Sequence, residues 1–276
     1  MLIFRPVFRL AFIEKKSSIY LIAFLNIISD LIQLLIVCLY LSPNIMQNDY
    51  ILTGSQASVS NIFVGWVFIN AWYIESFVQV SMAVNRMCII TLKESKIFTF
   101  KFTIIIFIGI FLLTSTLATL TQYIFPCCRF VPEQMVLAFM FINPDNEYNM
   151  SYTMLFSIDV LCSLSSTVCY VSVFISIRNS FKQAGADTGQ NQKDMKYVIQ
   201  FVFISVFYVC TWIIFEVFPY VVPKGELEYF WLITLLVILN ASSNSLIFLT
   251  CNKDVKKSVH FPWVKSKIYN ATIFLI

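Results

Sequence analysis

The chain reads as an all-α membrane protein built as a bundle of transmembrane helices. Three observations predict that class. Hydrophobic residues make up 59% of the 276 and charged residues only 12%, with a mean hydropathy of +0.79. A soluble domain is about half apolar and about a quarter charged. The apolar runs are long and unalternating, which excludes the strand pattern of a membrane barrel. Six of them are roughly 20 residues or longer, enough to cross a hydrocarbon core of about 30 Å.

The six spans cover about 19–41, 59–92, 102–125, 152–177, 197–222 and 229–250. They place residues 1–259 in one bundle and leave 260–276 as a tail of uncertain status. The second is long enough to tilt and to protrude on one side. The stretch before the first is broken by Arg5, Pro6 and Arg9, which is no signal peptide. Pro219 and Pro223 bracket one end of the fifth span and should kink or stop it. The loop 179–196, with Gly185, Gly189, Gln190 and Asn191, reads as flexible.

Charge sets the orientation. All but two of the 19 Lys and Arg fall on one set of loops: Arg5, Arg9, Lys15, Lys16; Arg86, Lys93, Lys96, Lys101; Arg178, Lys182, Lys193, Lys196; and Lys253, Lys256, Lys257, Lys265, Lys267. The other side holds Arg129 and Lys224 among Asp49, Glu133, Asp145, Glu147, Glu226 and Glu228. The positive-inside rule makes the first set cytoplasmic, with both termini inside. Asn149-Met-Ser151 is then a glycosylation sequon on the outer side, close to the membrane.

Enzymatic chemistry finds no support. No Gly-rich phosphate loop, His-Glu-x-x-His or Gly-x-Ser-x-Gly motif occurs, and His260 is the lone histidine. The eight cysteines lack zinc-type spacing; Cys127 and Cys128 are adjacent and the rest are scattered. No cofactor and no metal centre are expected, and no nucleic acid.

Polar residues inside the spans fall into stripes. Glu75, Gln79, Met82 and Arg86 are separated by 4, 3 and 4, so they share one face of the second span. Asn26, Asp30 and Gln33 share a face of the first, Asp159, Cys162 and Ser166 of the fourth, and Asn240, Ser243 and Asn244 of the sixth. A single polar stripe turns toward other helices rather than lipid. For the amides and hydroxyls, interhelical packing glue worth about a kcal/mol or less is the favoured reading. For Asp30, Glu75 and Arg86 the cost of a charge in the bilayer makes a functional role at least as strong a reading. Arg86 has the alternative of snorkelling to the headgroups. Glu75 lies about 16 Å from Arg86 at roughly 1.5 Å per residue, too far to pair directly.

The residues carry a resemblance. Leu25-Asn-Ile-Ile-Ser-Asp30-Leu31 resembles the second-helix motif of rhodopsin-like seven-helix receptors. Met82-Ala-Val-Asn85-Arg86-Met87-Cys-Ile-Ile resembles the motif that closes their third helix, with the Asn-Arg variant of nematode members. Asn244-Ser245-Leu-Ile-Phe248 resembles the Asn-Pro-x-x-Tyr motif of the seventh, with Ser for Pro and Phe for Tyr. The basic stretch Asn252–Lys257 falls where a short membrane-parallel helix follows it. The segment Trp72–Gln79 and the Phe125-Pro126-Cys127-Cys128 loop resemble class x of the nematode serpentine chemoreceptors.

The resemblance implies a rhodopsin-like bundle in the plasma membrane of sensory neurons, a small-molecule ligand and a heterotrimeric G protein. It implies a switch at Asn85, Arg86, Asn244 and Phe248, and an internal polar cluster of Asn26, Asp30, Asn240 and Asn244, with sodium near Asp30. Candidates for a ligand pocket are Trp66, Asn70, Tyr73, Glu75, Asp159, Trp212 and Glu216, with Phe218 and Tyr220 nearby. A cavity of aromatics with a few polar groups suits a small, partly apolar ligand.

Three departures from the pattern stand out. Six spans replace seven, with Arg5–Lys16 read as the first cytoplasmic loop and the first helix absent. No cysteine lies between Cys38 and Cys88 to make the family's usual disulfide, so a bond at Cys127 or Cys128 is the vicinal pair or something unusual. The tail ends in Ala-Thr-Ile-Phe-Leu-Ile, unlike a cytoplasmic tail. Rival readings are a non-functional truncated receptor and a six-span channel or transporter. The latter lacks a re-entrant pore loop, an Arg-repeat helix or internal repeats.

Overall fold

The computed structural model describes residues 3–15, 17–52, 55–94, 97–142, 148–184, 209–211, 213–214, 217–218, 221–222 and 227–258. Its helices are α1 (Phe4–Phe8), α2 (Ser18–Ile36), α3 (Ser42–Gln47), α4 (Val59–Ile90), α5 (Phe100–Thr119), α6 (Met150–Ala184), α7 (Trp231–Cys251) and α8 (Lys253–Ser258). Much of the fifth expected span, 197–222, and all of the tail 260–276 lie outside the described residues. Four of the described helical segments, Ser18–Gln47, Val59–Ile90, Phe100–Ile124 and Met150–Asn179, are long and apolar enough to cross a membrane.

Local chemistry sets the helix starts. Ser17 opens α2, Ser58 opens α4 and Thr99 opens α5, each hydroxyl accepting a backbone N–H of the first turn. Such caps satisfy donors that have no partner inside the helix. The α2 helix widens into a π turn at Val37–Leu41 just before Pro43. A proline ring clashes with the carbonyl four residues back in a regular helix, and the wider turn makes room for it. The Ser42 hydroxyl donates to the carbonyl of Val37 at 2.9 Å.

The bundle is organised around α4. Of its most apolar window 67% is buried, against 17% for α5, which makes α4 the axis and α5 a lipid-facing stave. It packs on α2, α5 and α6 along its length. Apolar contacts form two main layers. One surrounds Val78, Met82 and Ala83 with Tyr20–Phe24 of α2 and Val255 of α8. The other surrounds Phe68, Ile69, Trp72 and Tyr73 and is roofed by Phe130 and Phe139.

Those two phenylalanines belong to an antiparallel hairpin, β1 (Arg129–Glu133) and β2 (Ala138–Ile142), between α5 and α6. Hydropathy alone predicts a loop here, and the hairpin is a difference from that expectation. The end of the bundle that it covers is called the hairpin end below.

The N-terminal stretch differs from expectation. Residues Phe4–Ile13, read from sequence as loop, form a short helix continued by a π turn. Val7, Leu10 and Ala11 are buried against α2, while Arg5 and Arg9 face outward and Arg9 pairs with Glu14 at 2.9 Å. Pro6 is tolerated because the first turn of a helix has no hydrogen bond to lose.

Candidate functional site

The described side chains of the polar stripes face inward, and several of them meet. Glu75, fully buried, is the centre of one knot. Its Oε2 accepts from Gln33 Nε2 of α2 at 3.0 Å, and its Oε1 accepts from Asn240 Nδ2 of α7 at 2.6 Å. Three helices far apart in sequence thus share one carboxylate. A second knot joins α4 to α6: Asp159 accepts from Trp72 Nε1 at 3.0 Å and from Ser76 Oγ at 2.9 Å. Ser29 of α2 donates to the Ala71 carbonyl beside it. In hydrocarbon each unmet polar group costs several kcal/mol, so these bonds set the azimuth of every helix that joins them.

Above the first knot, toward the hairpin end, lies a small apolar cavity with about 30 Å³ of free room. Its walls include Val37 and Leu41, then Phe68, Ile69 and Trp72 of α4, Leu155 of α6 and Val237 of α7. Phe130 and Phe139 of the hairpin close it, their rings stacked 5.6 Å apart. Its one lining hydroxyl among the described residues, Thr234, donates to the Leu137 carbonyl at 2.8 Å, so it is already engaged. The registry with the knot is close. Val37, Trp72 and Val237 each stand one turn, about 5.4 Å, from Gln33, Glu75 and Asn240 on the same helices.

The hairpin is held as a lid by side chains rather than by its own two strands. Gln122, in a π turn at the end of α5, donates to the Phe130 carbonyl at 2.7 Å and accepts the Phe130 N–H at 3.0 Å. Gly65 lets α4 approach the same peptide, because a Cβ there would land on the Phe130 carbonyl oxygen. Gln56 binds the Glu133 carboxylate, and Tyr50 donates to the Pro132 carbonyl at 3.5 Å. Burial, reinforced by the Glu133 charge, pushes the Tyr50 phenol up to about 12, so it remains a donor at neutral pH. Cys127 and Cys128, just before β1, are joined as a vicinal disulfide, the first of the two arrangements considered from sequence.

A family model described as Serpentine type 7TM GPCR chemoreceptor Srx matches residues 5–252. The chain belongs to the Srx chemoreceptor family. No curated protein matches it. The Srx chain is similar in fold to the crystal structure of squid rhodopsin, with a TM-score of 0.66 at 13% identity, covering 94% of this chain and 80% of that one. A rhodopsin-like helix bundle, an integral membrane protein and a receptor rather than an enzyme follow from the two matches. Receptors of this class have a ligand and a G protein as partners in general.

The expected site residues of the Srx chain are distributed as follows. Trp66, Asn70 and Tyr73 are not among the residues that line the cavity. Their polar atoms reach the α5 side, to Thr119 at 3.1 Å, Ser115 at 3.3 Å and Thr121 at 3.2 Å. Trp72, which is not among the pocket residues the sequence predicts, takes the wall position instead, since adjacent helical residues point about 100° apart. Glu75 and Asp159 lie beneath the floor in the two knots. Asn26 donates to Asp30 at 3.2 Å within α2, while Asn240 binds Glu75. No group of three or more His, Cys, Asp or Glu suited to a metal occurs among the described residues.

At the end opposite the hairpin, Asn85 is buried and donates to Ser18 Oγ at 3.3 Å, and Arg86 is 9% exposed. Met87 and Ile90 beside them pack on Val173 and Ile177 of α6. Asn149 is engaged as a cap on α6, accepting the Tyr152 N–H at 2.8 Å. Trp212, Glu216 and Tyr220, and the side chains of Asn244 and Phe248, lie outside the described residues.

Proposed function

We propose that this Srx receptor detects a small, uncharged, largely apolar environmental molecule in the hairpin-capped cavity. The observation that carries the reading is the one-turn registry between the cavity wall and the Glu75 knot on three helices. A ligand pressing on Val37, Trp72 or Val237 acts directly on helices that share a single buried carboxylate. The ligand class follows from the walls. They offer rings and methyls and no charged group among the described residues, so an ionic ligand would lose its hydration without compensation.

Activation is a population shift. The ligand binds the active arrangement of helices more tightly than the resting one and moves the equilibrium by that difference. The hairpin end faces outward, and the other end, with Asn85, Arg86, Asn244 and Phe248, meets the G protein. This orientation rests on the distribution of Lys and Arg, which also places both termini in the cytoplasm. The plasma membrane of sensory cells is the compartment that suits such a detector.

Two tests follow. Cells carrying the receptor on their surface, challenged with panels of neutral apolar and of charged small molecules, should give calcium responses confined to the neutral panel. Responses confined to charged compounds would refute the ligand class. In the second, Asn85→Asp adds a carboxylate beside Arg86 and lowers basal guanine-nucleotide exchange severalfold, because an ion pair strengthens the resting lock. Unchanged basal exchange at equal surface level would remove Asn85 from the switch.

A further inference from the structure

Trp72 belongs to both halves of the site at once. Its ring forms part of the cavity wall, and its indole N–H donates to Asp159 Oδ2 at 3.0 Å, with the residue only 6% exposed. The same carboxylate lies 2.9 Å from Ser76 Oγ, one turn further along α4, whose single O–H is shared with the Trp72 carbonyl at 3.1 Å. Asp159 is 1% exposed and is the residue through which α6 takes hold of these α4 donors. From there α6 continues for several turns to Val173 and Ile177, which pack on Met87 and Ile90 next to Arg86. One helix therefore joins the cavity wall to the far end of the bundle.

We propose that Trp72 is the residue through which cavity occupancy is reported to α6, its indole N–H holding Asp159 in the resting state and releasing it when a ligand displaces the ring. This deepens the reading of the cavity as the ligand site and rests on it. The physical basis is directional. An indole N–H···O bond weakens steeply below an angle of about 120°, whereas the ring's apolar contacts tolerate a rotation. A ligand that fills the cavity moves the ring against a contact with a sharp angular limit. Ser76 Oγ stays within reach of Asp159, so losing the indole N–H loosens the hold of α4 on α6 without leaving a bare carboxylate in the bilayer interior.

The test uses the full chain in lipid nanodiscs, with amide exchange of the far half of α6, Val168–Arg178, as the readout. Trp72→Phe keeps a ring in the wall and removes the N–H. It should speed exchange in that segment about tenfold or more. Val237→Phe adds bulk inside the cavity and should speed exchange in the parent by a similar factor. In the Trp72→Phe background it should add nothing, a non-additivity that a merely structural tryptophan would not produce. Should Trp72→Phe fail to fold, Asp159→Asn, isosteric but able to accept with one oxygen, should show the same pattern.

Exchange unchanged by Trp72→Phe, or effects that simply add, would overturn the coupling. Labelling of the cavity wall by a neutral aryl diazirine separates the two readings. Wall labelling together with additive effects leaves the ligand site standing and refutes Trp72. Absence of wall labelling together with non-additive effects refutes the ligand site and supports Trp72 as the link between α4 and α6.

Discussion

Glu75→Ala is expected to be the most damaging single substitution in the bundle. It leaves Gln33 Nε2 and Asn240 Nδ2 buried without the acceptor they share. A buried donor stripped of its partner costs about 1–3 kcal/mol, and two are stripped at once, from two different helices. The expected result is loss of most surface expression, or a thermal midpoint lower by roughly 5–15 °C on the scaling for chains of this size. Glu75→Gln retains one carbonyl oxygen, accepts from one amide, and should fall between the parent and Glu75→Ala. Thermal unfolding in detergent, followed by accessibility of the buried thiol Cys162, reads both variants. Equal midpoints for the parent and Glu75→Ala would show that α2, α4 and α7 are not held together at this point.

Gly65→Ala should detach the lid. The added methyl meets the Phe130 backbone and lies 2.8 Å from the Gln122 amide, so neither neighbour is a flexible chain end that swings aside at no cost. Overpacking of this kind costs typically 1–3 kcal/mol, and it falls on the side chain that clamps Phe130. Amide exchange of 129–142 should rise by at least tenfold, while exchange in α4 below Glu75 stays as in the parent. Gln122→Ala should reproduce the effect without any steric clash. If the hairpin keeps its protection in both variants, the lid is held by other contacts. The two substitutions also separate lid from knot, since Gly65 is ten residues from Glu75 along α4.

The sequence announced one part of this arrangement and hid another. The spacing of Glu75, Gln79, Met82 and Arg86 was enough to say that one face of α4 turns inward, because a polar stripe has nowhere else to go in lipid. It did not say which partner each would find. Glu75 takes Gln33 and Asn240, separated from it by 42 and 165 residues, and no helical period reports such pairings. The sequence predicts a pocket between the outer halves of the spans, and Trp66, Asn70 and Tyr73, among its expected residues, brace α4 against α5 and the π turn that follows it. A usable signal was present. On three helices an apolar or aromatic residue stands one turn beyond a buried amide or carboxylate, which is the pattern of a cavity with a polar floor.

The lid was invisible for a different reason. Its strands are five residues each and carry Pro132, which reads as a strand breaker. They persist because Gln122 supplies Phe130 with the two bonds a neighbouring strand would make. The helix at Phe4–Ile13 was masked by Arg5, Pro6 and Arg9. All three are compatible with a helix once the arginines face outward and the proline sits in the first turn.

Detection as proposed requires a small uncharged molecule in the space between the hairpin and the Glu75 knot. Photolabelling of the full chain in nanodiscs with a neutral aryl diazirine, mapped by peptide mass spectrometry, tests that most directly. Adducts are expected on the α4 peptide spanning Phe68–Trp72 and on the hairpin peptide holding Phe139, suppressed by an excess of a neutral apolar competitor and not by a charged one. Adducts confined to lipid-facing residues of α5 such as Phe111 and Leu112, unaffected by either competitor, would contradict it.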